Sequence, residues 1–465
     1  VAEQAQQAET LKPWRDIRGP PSLPFVGPIF SFLPGGKLSG YQGVQLSDKL
    51  YELYGPIVRL DGIFGGQDFI FLYDPEAIEC VLRAEEPLPV RPGLQSLEYY
   101  RKRHNKTYDP DLVTGLGTDH SKKWRDFRTT VNPILMQPKT IELYAEVMKD
   151  VANDFVACLR SIRDENDKVT KQLDVKMHLW ALESIAVVAM GRRLNCFDPD
   201  LPADSPARRL IQNVHDIFDV SDTLDFKPSA WKFISTPMFK KAMKESKKKS
   251  PEISSSEKPI LEKLLEIDEQ TAHIMASDML VAGVDTTSNT VLATLYLLAT
   301  NPGKQVKLRE EVFTKQSRRP YLRACIKESM RMFPVINANM RLTTTEYNLL
   351  GYRVPKNVLI ICSHQSMSNM KEYYPKPDEY IPERWLTEKD DPLYHGNAPS
   401  LTMAPFGFGV RMCIGRRIAE LEMRTIITKI IENFQIEWTS DEPLRFAPTV
   451  LNSIKGPFHF VFKDL

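Results

Sequence analysis

The stretch Ala404-Pro405-Phe406-Gly407-Phe408-Gly409-Val410-Arg411-Met412-Cys413-Ile414-Gly415 brings a glycine-rich loop to a cysteine just before a predicted helix. Backbone N–H groups aimed at that sulfur, with the positive start of the helix, favour a thiolate, and a thiolate is a good soft ligand for iron. Gly409 and Gly415 would let the backbone approach a flat cofactor closely, while Phe406 could pack beside the sulfur and limit solvent. The five other cysteines, Cys80, Cys158, Cys196, Cys325 and Cys362, form no CxxC and no cluster. That spread is neither a disulfide framework nor a cysteine zinc site. A second stretch, Ala282-Gly283-Val284-Asp285-Thr286-Thr287, lies inside an otherwise apolar helical run from Ile274 to Leu298. A glycine beside an acid and two hydroxyls weakens a helix interior, so something must compensate. Glu328 and Arg331 stand at i and i+3 on one helical face, and Pro382-Glu383-Arg384-Trp385 follows downstream. Trp124 and Arg128, four apart, share a face of another helix.

Several elements must position these groups. Residues 1–18 read as an N-terminal tail, polar and frayed through Lys12, and residues 19–465 as one domain. Gly19 to Pro28 holds four prolines and two glycines, which deny both helix and ladder hydrogen bonds, so an extended strap is expected. Ile57 to Gly62 and Asp68 to Pro75 read as a β-hairpin, part of a β-rich region over about 40–85 that is completed by strands over about 340–365. A period near 3.6 dominates about 120–335 and returns over about 414–434. Between them, Lys240 to Pro259 carries six lysines over 240–249 and then a serine run, and is expected to be a solvated loop. Helices and strands do not alternate as βαβ units, and no internal repeat is visible, so the fold class is mainly α with small β-sheets.

The chain has 465 residues, 42% hydrophobic and 26% charged, which excludes a disordered or collagen-like chain and a membrane-embedded bundle. Sixty-one Lys plus Arg balance 60 Asp plus Glu, leaving +1, so no global field points to nucleic acid. The best apolar run, Val291 to Ala299, is about half of what a spanning helix needs. The chain begins at Val1 rather than Met, and removal of a transit peptide is expected.

Every fixed position of Phe-x-x-Gly-x-Arg-x-Cys-x-Gly is filled by Phe406 through Gly415, and here the chain resembles the cytochrome P-450 family of haem-thiolate monooxygenases. The resemblance, which covers nearly the whole chain, implies the cytochrome P-450 fold, with a long distal helix over haem b and Cys413 as the proximal iron ligand. It implies that Thr286 bends the distal helix and hydrogen-bonds dioxygen or water, with Asp285 relaying protons. It implies a structural cluster of Glu328, Arg331 and Arg384, and contacts from Trp124, Arg128, Arg341 and Arg411 to the haem propionates. His120 lies near in sequence and is read as a turn or surface residue. Two connections, over about 245–258 and 313–320, are short for the family.

Such enzymes take two electrons per cycle. Arg323 and Lys327 stack on one helical face, and Arg416 and Arg417 follow the cysteine loop, which gives a cationic patch on the proximal side. An acidic [2Fe–2S] ferredoxin could dock there. The combination resembles the mitochondrial, ferredoxin-dependent class and its insect branch. That implies electrons from NADPH through ferredoxin reductase, a place on the matrix side of the inner membrane, peripheral membrane contact, and an unused Asn105-Lys106-Thr107 sequon. The expected pocket is apolar, with walls from 88–108, 279–283, 335–340 and 450–454, for a steroid, ecdysteroid or xenobiotic such as an insecticide. The alternatives are an isomerase or dehydratase that needs no external electrons, a microsomal-type enzyme served by a flavoprotein reductase, and a non-catalytic haem sensor or carrier. Asp285 and Thr286 argue against the isomerase.

Overall fold

The computed structural model describes residues 11–83, 88–103, 113–198, 201–202, 204–225, 236, 239–240, 243, 259–314, 318–448 and 451–465. The sequon at Asn105 and almost all of the lysine-rich segment lie outside the described residues.

Eight helices frame the site: α1 (Ser121–Leu135), α2 (Ala145–Ile162), α3 (Leu173–Met190), α4 (Pro206–Asp225), α5 (Glu269–Ala299), α6 (Pro302–Phe313), α7 (Pro320–Met332) and α8 (Arg416–Asn433). At 31 residues, α5 runs about 46 Å. It starts at Asp268, whose side chain accepts from the Thr271 amide at 2.7 Å and so caps the helix. Both α5 and α3 are buried on nearly every side, as their apolar sequences require, and they pack on each other at the centre of the larger core. Gly283 makes that approach possible: a Cβ there would lie 2.8 Å from the Ile185 side chain of α3. This close crossing compensates for a glycine in the middle of α5.

The strands are β1 (Lys12–Pro13), β2 (Ile57–Leu60), β3 (Phe69–Leu72), β4 (Lys168–Val169), β5 (Asn339–Leu342), β6 (Tyr347–Leu349), β7 (Tyr352–Val354), β8 (Leu359–Cys362), β9 (Phe434–Trp438), β10 (Arg445–Pro448), β11 (Asn452–Lys455) and β12 (Phe460–Asp464). A four-stranded sheet has the order β2-β3-β8-β5, with β3 and β8 parallel and the outer pairs antiparallel. Its side chains build a second, smaller core with Leu50, Ile78 and Val81. Three lesser sheets, β1-β7-β6, β4-β12-β9 and β10-β11, complete the mainly helical architecture.

Two early segments differ from the sequence reading. Lys12–Pro13 pairs parallel with Tyr352–Arg353, and Ile17 is buried, so the chain joins the body before Gly19 rather than as a tail through 18. The strap hugs the sheet at Gly19, where a Cβ would strike the Arg59 carbonyl at 1.9 Å. It is not extended throughout. Leu23 and Gly27 exchange backbone hydrogen bonds of 3.2 and 2.8 Å around Pro24, with Phe25 and Gly27 at positive φ, and the turn lifts Phe25 into solvent. Among the described residues no helix is long and apolar enough to cross a membrane.

Candidate active site

A cavity of about 2680 Å³ opens between the cysteine loop and α5. Phe406, Gly407, Arg411, Met412, Cys413, Ile414 and Gly415 line one side, and Met279, Ala282, Gly283, Thr286 and Thr287 line the other. The loop is held by the Cys413 amide, which donates to the Phe406 carbonyl at 2.8 Å, and by positive φ at Gly407 and Gly409. Cys413 lies deep among protein atoms yet shows exposed surface, because that surface faces the cavity and not bulk water. Burial pushes its thiol up. The amides of Gly415 and Arg416 and the guanidiniums of Arg128 and Arg91 pull the other way without reversing the shift. The donors expected at the sulfur are therefore present, but they do not make a thiolate alone; a bound metal cation would.

Around the rim, Arg411 stacks 3.9 Å over the Trp124 ring and donates to the carbonyls of Pro89, Leu116 and Asp119. Arg128 of α1 reaches the loop through Nη2, which donates to Met412 O at 2.8 Å, while its buried Nε has no hydrogen-bond partner. Trp124, Arg128 and Arg411 all line the cavity. Arg341 behaves differently: it is buried, donates to Met340 O at 2.9 Å and to Phe408 O at 3.4 Å, and is not among the described residues of the cavity wall. His120 does line the cavity, 3.4 Å from Arg411. Haem fits this donor set. A reachable sulfur supported by amides faces the space, the guanidiniums of Arg128, with its orphaned Nε, and of Arg411 border it with positive charge suited to carboxylates, and an apolar distal wall lies opposite.

Beneath the loop the Glu328 carboxylate gathers four donors. Oε1 accepts from Arg331 Nη2 at 2.9 Å, Arg384 Nε at 2.9 Å and the Ile381 amide at 3.3 Å, and Oε2 accepts from Trp385 Nε1 at 2.9 Å. Glu328, Arg331 and Arg384 are all 0% exposed. Arg331 also donates to the carbonyls of Ser368 and Pro377. The network ties α7 to the coil that leads into the cysteine loop.

On α5, Thr286 faces the cavity and its Oγ1 donates to Ala282 O at 2.6 Å. Asp285 is not among the described cavity-lining residues. It is buried, and its Oδ1 lies 3.2 Å from His178 Nε2 of α3 and 3.1 Å from His215 Nε2 of α4. Burial would raise its carboxyl, but the two imidazoles override this and hold it well below the ordinary range. Sequence reasoning missed both histidines, since no local pattern links them to Asp285. It also missed Glu422 of α8, a fully buried acid whose Oε2 accepts from Thr287 Oγ1 at 3.3 Å and whose carboxyl burial pushes up to about 8. Arg323, Lys327, Arg416 and Arg417 are exposed, and Arg323 lies close enough to the half-buried Arg424 of α8 to depress its basicity, after burial. Lys327 sits over Trp385, and Arg416 pairs with Glu420 at 2.8 Å.

A buried charge network thus lies under a thiol-bearing loop, opposite a long helix that turns a hydroxyl into an apolar cavity. The Cytochrome P450 family model matches residues 17–460, and the chain belongs to that family, whose cofactor is haem. It is 35% identical to Cytochrome P450 CYP12A2 of Musca domestica, over 97% of this chain and 92% of that protein. It is 36% identical to Probable cytochrome P450 12a5, mitochondrial, of Drosophila melanogaster, over 94% and 88%. With Cytochrome P450 12b1, mitochondrial, of Drosophila acanthoptera it shares 34% over 96% and 89%.

Proposed function

We propose that this monooxygenase is of the mitochondrial type and inserts one oxygen atom from O2 into a lipophilic small molecule, with electrons from NADPH through ferredoxin reductase and a [2Fe–2S] ferredoxin. The observation that carries the reading is the placement of Cys413 and Thr286 on opposite walls of one apolar cavity. Haem bound at Cys413 supplies the electron transfer and oxygen activation that no side chain can. The protein's own share is binding and proton handling. Cys413 is the iron ligand, Phe406 and Gly415 flank it, and Trp124, Arg128 and Arg411 receive the propionates, while Arg341 braces the loop at Phe408. Thr286 spends its own proton on Ala282 O, so its oxygen is left to accept from a donor in the cavity. Asp285 is the adjacent acid. Leu97, Phe218, Met279, Val335, Ile361 and Leu451 line the space that orients the substrate by burial of apolar surface. A steroid, an ecdysteroid or an apolar foreign compound suits such walls.

Names of the Drosophila relatives support the mitochondrial type. So do the four exposed cations Arg323, Lys327, Arg416 and Arg417, which suit an acidic ferredoxin. Leu23, Phe25, Phe30, Leu33 and Phe64 stand exposed, with the Phe25 and Phe64 rings 5.9 Å apart, and they suit shallow contact with the inner membrane. The test is the absorption spectrum of the reduced, CO-bound protein, followed by NADPH-driven turnover reconstituted with ferredoxin and its reductase. The thiolate-type CO band is expected, with its loss in Cys413→His. Persistence of the band in that variant overturns the ligand assignment, and turnover only with a flavoprotein reductase overturns the donor class.

A further inference from the structure

We infer, resting on the monooxygenase reading, that the side-chain amide of Gln365 is a specificity-determining hydrogen-bond donor, and that preferred substrates carry a carbonyl or hydroxyl oxygen on an otherwise apolar body. Gln365 stands in the short helix His364–Ser368 and lines the cavity, although it is only 7% exposed. Its neighbours fix the orientation of the amide. Nδ2 of Asn452 on β11 lies 2.6 Å from Pro334 O and 2.7 Å from Oε1 of Gln365. A carbonyl can only accept, so the Asn452 atom that meets it is the nitrogen, and the Gln365 atom facing that nitrogen is the oxygen. The amide nitrogen of Gln365 is thereby turned away from Asn452, and among the described residues no acceptor pairs with it.

The walls around this donor are the ones that orient substrate. The Asn452 amide donates to Val335 O at 2.9 Å, Leu451 precedes it in the chain, and the Gln365 backbone amide donates to Asn337 O at 3.0 Å. Val335, Asn337 and Leu451 all line the cavity. The donor is also held in place. Ser368 Oγ lies 3.0 Å from Gln365 O and 2.8 Å from Arg331 O, while Arg331 Nη1 donates to Ser368 O at 2.9 Å. The short helix is thus fastened to the buried Glu328 cluster, and a donor so positioned loses little freedom when a ligand arrives. A buried N–H group that faces an apolar space costs free energy unless something accepts from it. Water fills that role in an empty pocket; an oxygen on the substrate restores the bond, whereas a hydrocarbon displaces the water and returns nothing. One fixed donor among apolar walls therefore rejects the analogue that lacks the oxygen.

The test titrates haem-loaded parent, Gln365→Leu and Gln365→Met with benzophenone and with diphenylmethane, which differ only by a carbonyl in place of a methylene. Affinity is read by isothermal titration calorimetry, and the isotope-edited infrared spectrum of bound benzophenone is recorded beside it. Expected in the parent are ketone binding at least about tenfold tighter than hydrocarbon binding, and a carbonyl stretch below its position in a hydrocarbon solvent. Both variants should lose the preference through weaker ketone binding, and the stretch should return towards the solvent position. Equal affinity for the two probes in the parent, no ketone binding, or a preference kept in either variant would overturn the subsite. Should the variants fail to fold, the parent spectrum decides alone, since a stretch at the solvent position also overturns it. The reduced, CO-bound spectrum separates the two readings: a thiolate-type band without ketone preference removes the subsite only, and a missing band removes the haem-thiolate assignment itself.

Discussion

Two buried carboxylates, one on each side of the haem cavity, are neutralised in different ways. Glu328 beneath the cysteine loop accepts from two guanidiniums, an indole and an amide, all in a region with no solvent exposure. Asp285 above the cavity instead has the Nε2 atoms of two imidazoles 3.2 and 3.1 Å from its Oδ1. A guanidinium keeps its charge at any pH that a folded protein survives, whereas an imidazole can shed its proton near neutrality. The proximal side is therefore fixed, as a support for a metal ligand must be. The distal side can change its charge without being torn apart, as a region that handles protons must. Glu422 stands between the two, buried on α8 and joined to α5 only through Thr287 among its described hydrogen bonds.

The contrast is sharpest where the fixed side is broken. Glu328→Ala strands two buried guanidiniums and should cost about 3–5 kcal/mol, read as a lower denaturant midpoint and poor haem retention. A loss under about 1 kcal/mol would erase the distinction. Glu422→Gln tests the intermediate case through pH. The folded carboxyl titrates at about 8 against an ordinary value of 4.5, so the native state holds a proton that the unfolded chain releases over that interval. Parental stability then falls as pH rises from 4.5 towards 8, at about 1.4 kcal/mol per pH unit at most, while the glutamine variant escapes this fall. Unfolding midpoints at pH 5 and pH 8 should diverge accordingly, and a parallel pair of profiles would show that the carboxyl is not held protonated. Asp285→Asn should cost about 1–3 kcal/mol, less than Glu328→Ala, because the imidazole of His215, whose basicity Asp285 supports, can give up its proton where a guanidinium cannot. Its mark should be more NADPH consumed per product formed. A stability loss as large as that of Glu328→Ala would make the two sides alike.

Legibility in the sequence followed the distance between partners. The cysteine loop and the Glu328-Arg331 pair are local, so their spacing in the chain already sets their geometry, and Arg384 was read through the family pattern. The mainly helical class followed from the 3.6 period, and the hairpin from its glycines. The strap's turn was hidden because proline and glycine forbid regular structure without choosing between an extended course and a bend; Pro24 and Gly27 chose the bend. His178 and His215 reach Asp285 only through the crossing of three helices, which no periodicity reports. Glu422 reads as one more helical acid until α8 is seen to lie inside the core.

The crossing of α5 and α3 also limits how this molecule can change its diet. Gly283 and Ile185 meet where a single added methyl has no room, so the approach of α5 to α3 beside the cavity is fixed by an absent side chain. Variants that take bulkier or slimmer compounds are expected at cavity residues away from that crossing, such as Phe218, Val335 and Leu451.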